Sequence, residues 1–257
     1  MPHLVTSRQR LFSPSHRDTG HSSHLRWENV NAFTYKLGGL LFVLGSILFF
    51  PMLADYQRIG AWLFFLGSLC YLLVTAHDLF EALRYWHRHR TATSADHIEL
   101  TAALNYVSGS LLFAIGSLLF LPGLALEHAG AWSFIVGSVF FVVGACANLL
   151  QLVDAPSKLY MQLFNFTLAT FIVGSVLFVV ASVPYLIHFD SSGDETAIHR
   201  LAAGQFTFAS LLFLLGGLFI YWRMFAQRML EHEHGADRFG KNFIMAIRRE
   251  NRRERSG

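Results

Sequence analysis

Six times the chain repeats Phe-x-x-(Gly/Ala)-Ser-x-x-(Phe/Tyr): at Phe42 to Phe49, Phe64 to Tyr71, Phe113 to Phe120, Phe134 to Phe141, Phe171 to Phe178 and Phe206 to Phe213. Seven residues before each central Gly or Ala stands another small or short residue, Gly38, Gly60, Gly109, Gly130, Thr167 or Ala202. Offsets of four, three and four are those of a heptad seam, so the small residue, the first ring, the Gly and the second ring line one stripe of a helix. Ring and gap alternate along it. In lipid no hydrophobic force draws helices together, and such gaps let backbones approach while a neighbour's ring fills each notch. Gly45, Gly67, Gly116, Gly137, Gly174 and Ala209 are the expected packing positions. The Ser that follows can return its hydroxyl to a carbonyl one turn back or offer it across the interface.

Each octet lies inside a run of apolar residues, and the chain as a whole is 53% hydrophobic and 14% charged with 25 Phe, too apolar for a soluble domain of 257 residues. Crossing a bilayer takes about 20 apolar residues as a helix. Six stretches qualify: about Phe33 to Ala54, Gly60 to Ala82, Ala102 to Leu126, Gly130 to Val153, Leu163 to Ile187 and Leu201 to Trp222. They are continuous rather than alternating, which excludes a β-barrel. Lys and Arg set the orientation. With the N-terminus in the cytoplasm only Arg58 and Arg200 fall outside, and the other cations, from Arg8 through Lys158 to the C-terminal cluster, fall inside. The five Trp stand near helix ends, as in an aromatic belt.

The expected architecture is all-α: a polytopic membrane protein of six transmembrane helices in three repeated antiparallel hairpins. Residues 1–30 are polar, without the apolar core of a signal peptide, and read as a disordered cytoplasmic tail. The hairpins span 31–85, 101–154 and 159–226. The second copies the first at a shift of 71, pairing Tyr35 with Tyr106, Phe42 with Phe113 and Pro51 with Pro122, and Gly60-Ala61-Trp62 recurs as Gly130-Ala131-Trp132. The third keeps Phe171, Gly174-Ser175 and Phe178, has a longer acidic turn, and carries Gly204 where the others have Trp. The connection from Arg84 to Leu100 reads as a loop or short surface helix, and Asp154 to Lys158 as a short link between neighbouring helices. The last helix is expected to fray near Glu231-His232-Glu233-His234. Residues 227–257 then form a basic tail in which Phe239, Phe243, Ile244 and Ile247 suggest a helix lying on anionic inner-leaflet lipid.

Paired Gly-Ser helices joined by a turn ending in Gly-Ala-Trp, as in Phe42 to Ser68 and Phe113 to Ser138, resemble the YrhK-like domain, a small membrane hairpin module. The resemblance covers the first two hairpins well and the third in part. It implies an integral membrane protein and brings no catalytic residue with it.

Chemistry is sparse by comparison. An ionisable group at membrane depth is costly and usually functional, yet no Asp, Glu, Lys, Arg or His falls near the middle of a predicted span. Asp78 and Glu81, beside His77, sit at the inner end of the second helix and read as hydrated interfacial caps; the functional alternative makes Asp78 a cation entry site, with Asn148 its counterpart. Asn105, Asn148 and Asn165, with Asp78, are the candidates for a polar path. The same amides also serve as interhelical glue, at about 0.6 kcal/mol apiece. Neither the scattered histidines of the N-terminal tail, nor Glu231 to His234, nor Cys70 and Cys146 has the spacing of a metal site. No phosphate loop, nucleophile elbow or zinc-binding His pair occurs. The sequence therefore leads to a non-enzymatic scaffold or regulatory protein of a plasma membrane, without cofactor, catalytic residue or nucleic-acid partner. Both termini are expected in the cytoplasm. Its expected partners are the bilayer, anionic inner-leaflet lipids, and a second protein or further copies of itself. The alternative is a channel or carrier for a small, weakly charged solute.

Overall fold

The computed structural model describes residues 20–88, 94–150, 158–188 and 191–254. Six helices account for nearly all of them: α1 (Gly20–Ile47), α2 (Gln57–Arg88), α3 (Ser94–Leu119), α4 (Glu127–Leu149), α5 (Lys158–Ser182) and α6 (Ser192–Glu254). Short 3-10 turns at Pro51–Tyr56 and Val183–Leu186 follow α1 and α5, each with a proline in its first two positions, where a missing N–H costs least. Among the described residues there is no strand, and all six helices contain a stretch long and apolar enough to cross a membrane. The protein is an integral membrane protein.

The helices form a closed ring, each packed on the next from α1 to α6, with α6 packed back on α1. Successive helices run in opposite directions, so the described N- and C-terminal ends lie at one end of the ring, here the termini end. The outside is apolar. On α1 the exposed residues Val30, Phe33, Leu37, Leu40, Leu44 and Ile47 follow one another at steps of three and four, and every other helix presents a similar face. With the interior apolar as well, that surface belongs against hydrocarbon. Trp62, Trp132 and Trp222 are about half exposed near the ends of the spans.

Within each hairpin the rings enter the notches as the stripe requires. A Cβ built on Gly45 would lie 2.7 Å from the Phe64 ring, one on Gly67 2.8 Å from Phe42, one on Gly116 2.8 Å from Phe134 and one on Gly137 2.8 Å from Phe113. Gly174 faces Phe213 at 2.8 Å, and Ala209 is fully buried. The rings meet on the axis in layers of three. Phe64, Phe134 and Phe206 have centroids 5.9, 6.1 and 6.3 Å apart, and Phe42, Phe113 and Phe178 lie 5.1, 6.1 and 6.3 Å apart. Above them Phe120 touches both Phe49 and Tyr185; below, Phe213 touches Tyr71 and Phe141, and Tyr35 touches Phe171. These separations are those of rings in direct contact. The axis is filled.

These layers correct the expected register of the third hairpin. Phe178, rather than Phe171, stands level with Phe42 and Phe113, and Tyr185 with Phe49 and Phe120. A seventh copy of the octet, Phe178 to Tyr185, shares Phe178 with the fifth and carries Ala181 and Ser182 where the first hairpin has Gly45 and Ser46. A stripe that repeats every seven residues cannot fix its own phase; the neighbouring helices choose it.

Between hairpins the same register places small residues at equivalent positions of the three seams. Thr75 of α2 faces Ser110 of α3, with the hydroxyls 3.3 Å apart. The equivalent positions are Ala145 and Ser175 in the α4 and α5 seam, and Gly217 and Gly39 in the α6 and α1 seam. The buried Ser175 hydroxyl has no protein partner, and Ala145, its counterpart across the seam, offers none. Both uses of the octet serine occur. Ser46, Ser68, Ser117 and Ser182 donate to the carbonyl four residues back, and Ser46 Oγ also lies 2.8 Å from Ser210 Oγ, joining the first helix to the last.

The ends of the chain differ from expectation as well. Helix α1 begins at Gly20, inside the stretch read as a tail, while residues 1–19 lie outside the described set. Helix α6 does not fray near Glu231 but runs unbroken for 63 residues to Glu254. At 1.5 Å per residue that is about 95 Å, three times the hydrocarbon thickness. Its last turns therefore project well beyond the ring. The side chains from 226 onward, including Glu231 to His234 and the apolar stripe from Phe239 to Ile247, lie outside the described residues, as does the link Asp154 to Lys158 up to its last residue.

Candidate functional site

One heptad beyond the last full aromatic layer, toward the termini end, the inward stripe turns polar. Steps of seven lead from Phe64 through Tyr71 to Asp78, from Phe134 through Phe141 to Asn148, and from Phe206 through Phe213 to Ile220. On α1 the gap positions Gly45 and Gly38 lead to Asn31. All four end points are buried, with Asp78 1% and Asn148 0% exposed. Asp78 is therefore not the hydrated interfacial cap that its place near a helix end suggested. Its phase on α2, fourteen residues from Phe64, turns it into the bundle.

The polar layer is uneven around the axis. In the second hairpin Asn148 Nδ2 donates to Tyr106 Oη at 3.1 Å, and Asn148 Oδ1 has no protein partner. Turning the amide over would only exchange which end is left, since the assignment rests on the network. In the first hairpin the equivalent pair is Asp78 and Tyr35, and the Asn31 amide nitrogen nearby in register is also buried without a protein partner. The third contributes Ile220, Thr167 and Phe171, but brings Arg223, 3% exposed, with its guanidinium carbon 5.6 Å from the Phe164 ring centroid. The positions equivalent to Arg223 are Glu81 and Gln151. Burial of Asp78 and Arg223 at one end of the bundle puts an acid and a base in a low-dielectric setting, where isolated charges are costly and opposite ones compensate.

Above this layer Thr75 Oγ1 reaches the Tyr71 carbonyl at 2.9 Å, and Ser110 Oγ reaches that of Tyr106 at 2.8 Å. Toward the termini end His77 Nε2 lies 3.7 Å from Glu81 Oε1 and Asp96 is buried at the start of α3. Such an arrangement can hold a hydrogen-bonding solute or water. Among the described residues no three of His, Cys, Asp and Glu gather closely enough to hold a metal ion.

Of the four residues singled out for a polar path, the fold brings Asp78 and Asn148 to the same layer. Asn105 is half-buried and donates to the Thr101 carbonyl of its own helix at 2.7 Å, and Asn165 is exposed on the outer face. Asn31 and Arg223 went unremarked in the sequence. The signal for Asn31 was there, fourteen residues before Gly45. For Arg223 it was hidden among the basic residues that follow it.

The family of YrhK-like proteins matches the chain twice, over residues 25–83 and 98–153, so the first and second hairpins are tandem YrhK-like regions. Neither a curated protein nor a solved structure matches the chain.

Proposed function

We propose that this chain, whose first two hairpins are YrhK-like, is a non-enzymatic scaffold or regulatory protein of a plasma membrane. In this reading both termini are cytoplasmic, and the bundle is a closed post from which α6 carries basic sequence to anionic lipid or to a protein partner. The observation that carries it is the aromatic packing of the axis: rings from all three hairpins are in contact across the middle of the bundle, where a conducting path would have to run. Arg and Lys residues crowd the sequence of α6 beyond Trp222, on the side assigned to the cytoplasm by the charge bias.

The test is hydration of the interior. In a background with Cys70 and Cys146 replaced by Ser, Ser138→Cys places a thiol at a fully buried site with little change of volume. A dry bundle leaves it unmodified by a membrane-impermeant thiol reagent applied from either side. Rapid modification would remove the scaffold reading.

The buried Asp78 and Asn148 favour a second reading, a carrier for a small solute entering from the termini end. It requires flux in proteoliposomes that falls on Asp78→Leu. A scaffold gives no flux with or without the substitution.

A further inference from the structure

The three seams between hairpins are internal copies of one another, so a position where one seam departs from the other two marks something that packing alone does not ask for. In the α2 and α3 seam the pair one turn toward the termini end from Thr75 and Ser110 is Leu79 and Val107; in the α4 and α5 seam it is Leu149 and Ile172. The α6 and α1 seam has Tyr221 and Lys36 at the same places. Lys36 lies within the span Asn29–Ile47, and its Nζ sits 4.0 Å from the centroid of the Tyr221 ring. Lys36 packs on Gly217 at ordinary van der Waals distance, its Cα and Cγ 3.6 Å from where a Cβ would stand.

The Lys36 ammonium has no carboxylate partner among the described residues. Phe33, one turn before Lys36 on α1, is 63% exposed and adds apolar surface to the outside of the bundle there. A cation at that depth is costly when it meets only hydrocarbon, and one ring face meets part of the need. Tyr221 directly precedes Trp222 and the basic residues that begin at Arg223, which puts the ammonium near the boundary where lipid phosphates lie.

We propose that the α1 and α6 seam binds the phosphate headgroup of an anionic membrane lipid. Lys36 supplies the cation, Tyr221 holds it in place, and the apolar outer faces of α1 and α6 meet the upper part of the acyl chains. The site belongs to the spanning part of the chain, and it holds whether the bundle is a scaffold or a carrier.

The full-length protein, purified and delipidated, is titrated with phosphatidylglycerol, with phosphatidylcholine, and with phosphatidylcholine plus inorganic phosphate, and binding is followed by thermal stability and by lipid retention in native mass spectrometry. Phosphatidylglycerol alone should be retained and raise the melting temperature. Lys36→Gln should weaken its binding about fivefold, the effect of one cation at the membrane surface. Lys36→Arg should restore it, and Tyr221→Leu, which copies the other two seams, should weaken it while leaving the bundle packed. Because the basic residues of α6 are intact in all of these variants, attraction by the tail would leave them equal. Equal affinity for phosphatidylglycerol in Lys36→Gln and the parent chain overturns the proposal. So does stabilisation by inorganic phosphate as large as that by the lipid, or an Arg variant no better than Gln.

Discussion

Gly116 and Gly204 are the same residue in opposite circumstances. A methyl group added to Gly116 would lie 2.8 Å from the Phe134 ring and 3.1 Å from the Ser133 Cβ, whereas one added to Gly204 meets nothing within 4 Å. Gly116→Ala should cost about 1–3 kcal/mol, the usual penalty for overfilling a packed interior. Gly204→Ala should be neutral or gain up to about 1 kcal/mol from helix propensity. Unfolding of each variant in mixed micelles measures the difference, and equal shifts for the two would mean that the notches are not contact surfaces. Much at this scale was legible beforehand. The phase of the octet already places Gly45, Gly67, Gly116 and Gly137 beneath rings, and extending it by seven places Asp78 inside. What hid Asp78 was its position near a helix end, where a carboxylate is ordinarily hydrated; only its neighbours show that water is kept away.

Helices meet here in two ways, ring into notch within a hairpin and small residue against small residue between hairpins. The second kind can be weighed by comparing seams. A double-mutant cycle on Thr75→Ala and Ser110→Ala should give a coupling of about 0.6 kcal/mol, the mean for hydrogen bonds inside membranes. Ser175→Ala, whose partner position is Ala145, should change stability little, because the Ser175 hydroxyl has no protein partner to lose. A loss at Ser175 as large as the Thr75 and Ser110 coupling would sink the assignment of the seams. A turn offers a further check. Ala125, between α3 and α4, adopts φ 51°, a left-handed conformation that disfavours a Cβ by roughly 1–2 kcal/mol. Ala125→Gly should therefore raise the melting temperature. The existence of six helices and their hairpin pairing could be read from apolar length and repetition. The phase of α5 could not, because Phe171 to Phe178 and Phe178 to Tyr185 satisfy the octet equally and contact with α1 and α3 decides between them.

At the scale of the molecule, closure of the ring is the decisive event, and it depends on helices separated by most of the chain. Ser46 and Ser210 stand 2.8 Å apart, Oγ to Oγ. With Cys70 and Cys146 removed, Ser46→Cys with Ser210→Cys should form a disulfide within one chain on mild oxidation, seen as a faster-running monomer on a non-reducing gel. Cross-linked dimers alone would show instead that α6 closes on a second molecule. The amino-acid sequence by itself determined that this chain lives in lipid, crosses it six times, and packs by setting phenyl rings against glycines, because length, hydropathy and heptad spacing are local properties. Only the tertiary structure decided that three hairpins join into one ring, that rings fill its axis, and that Asp78 and Arg223 are buried at one end. Those outcomes depend on which periodic stripe settles against which, and a pattern that repeats every seven residues is silent about its partner and its phase.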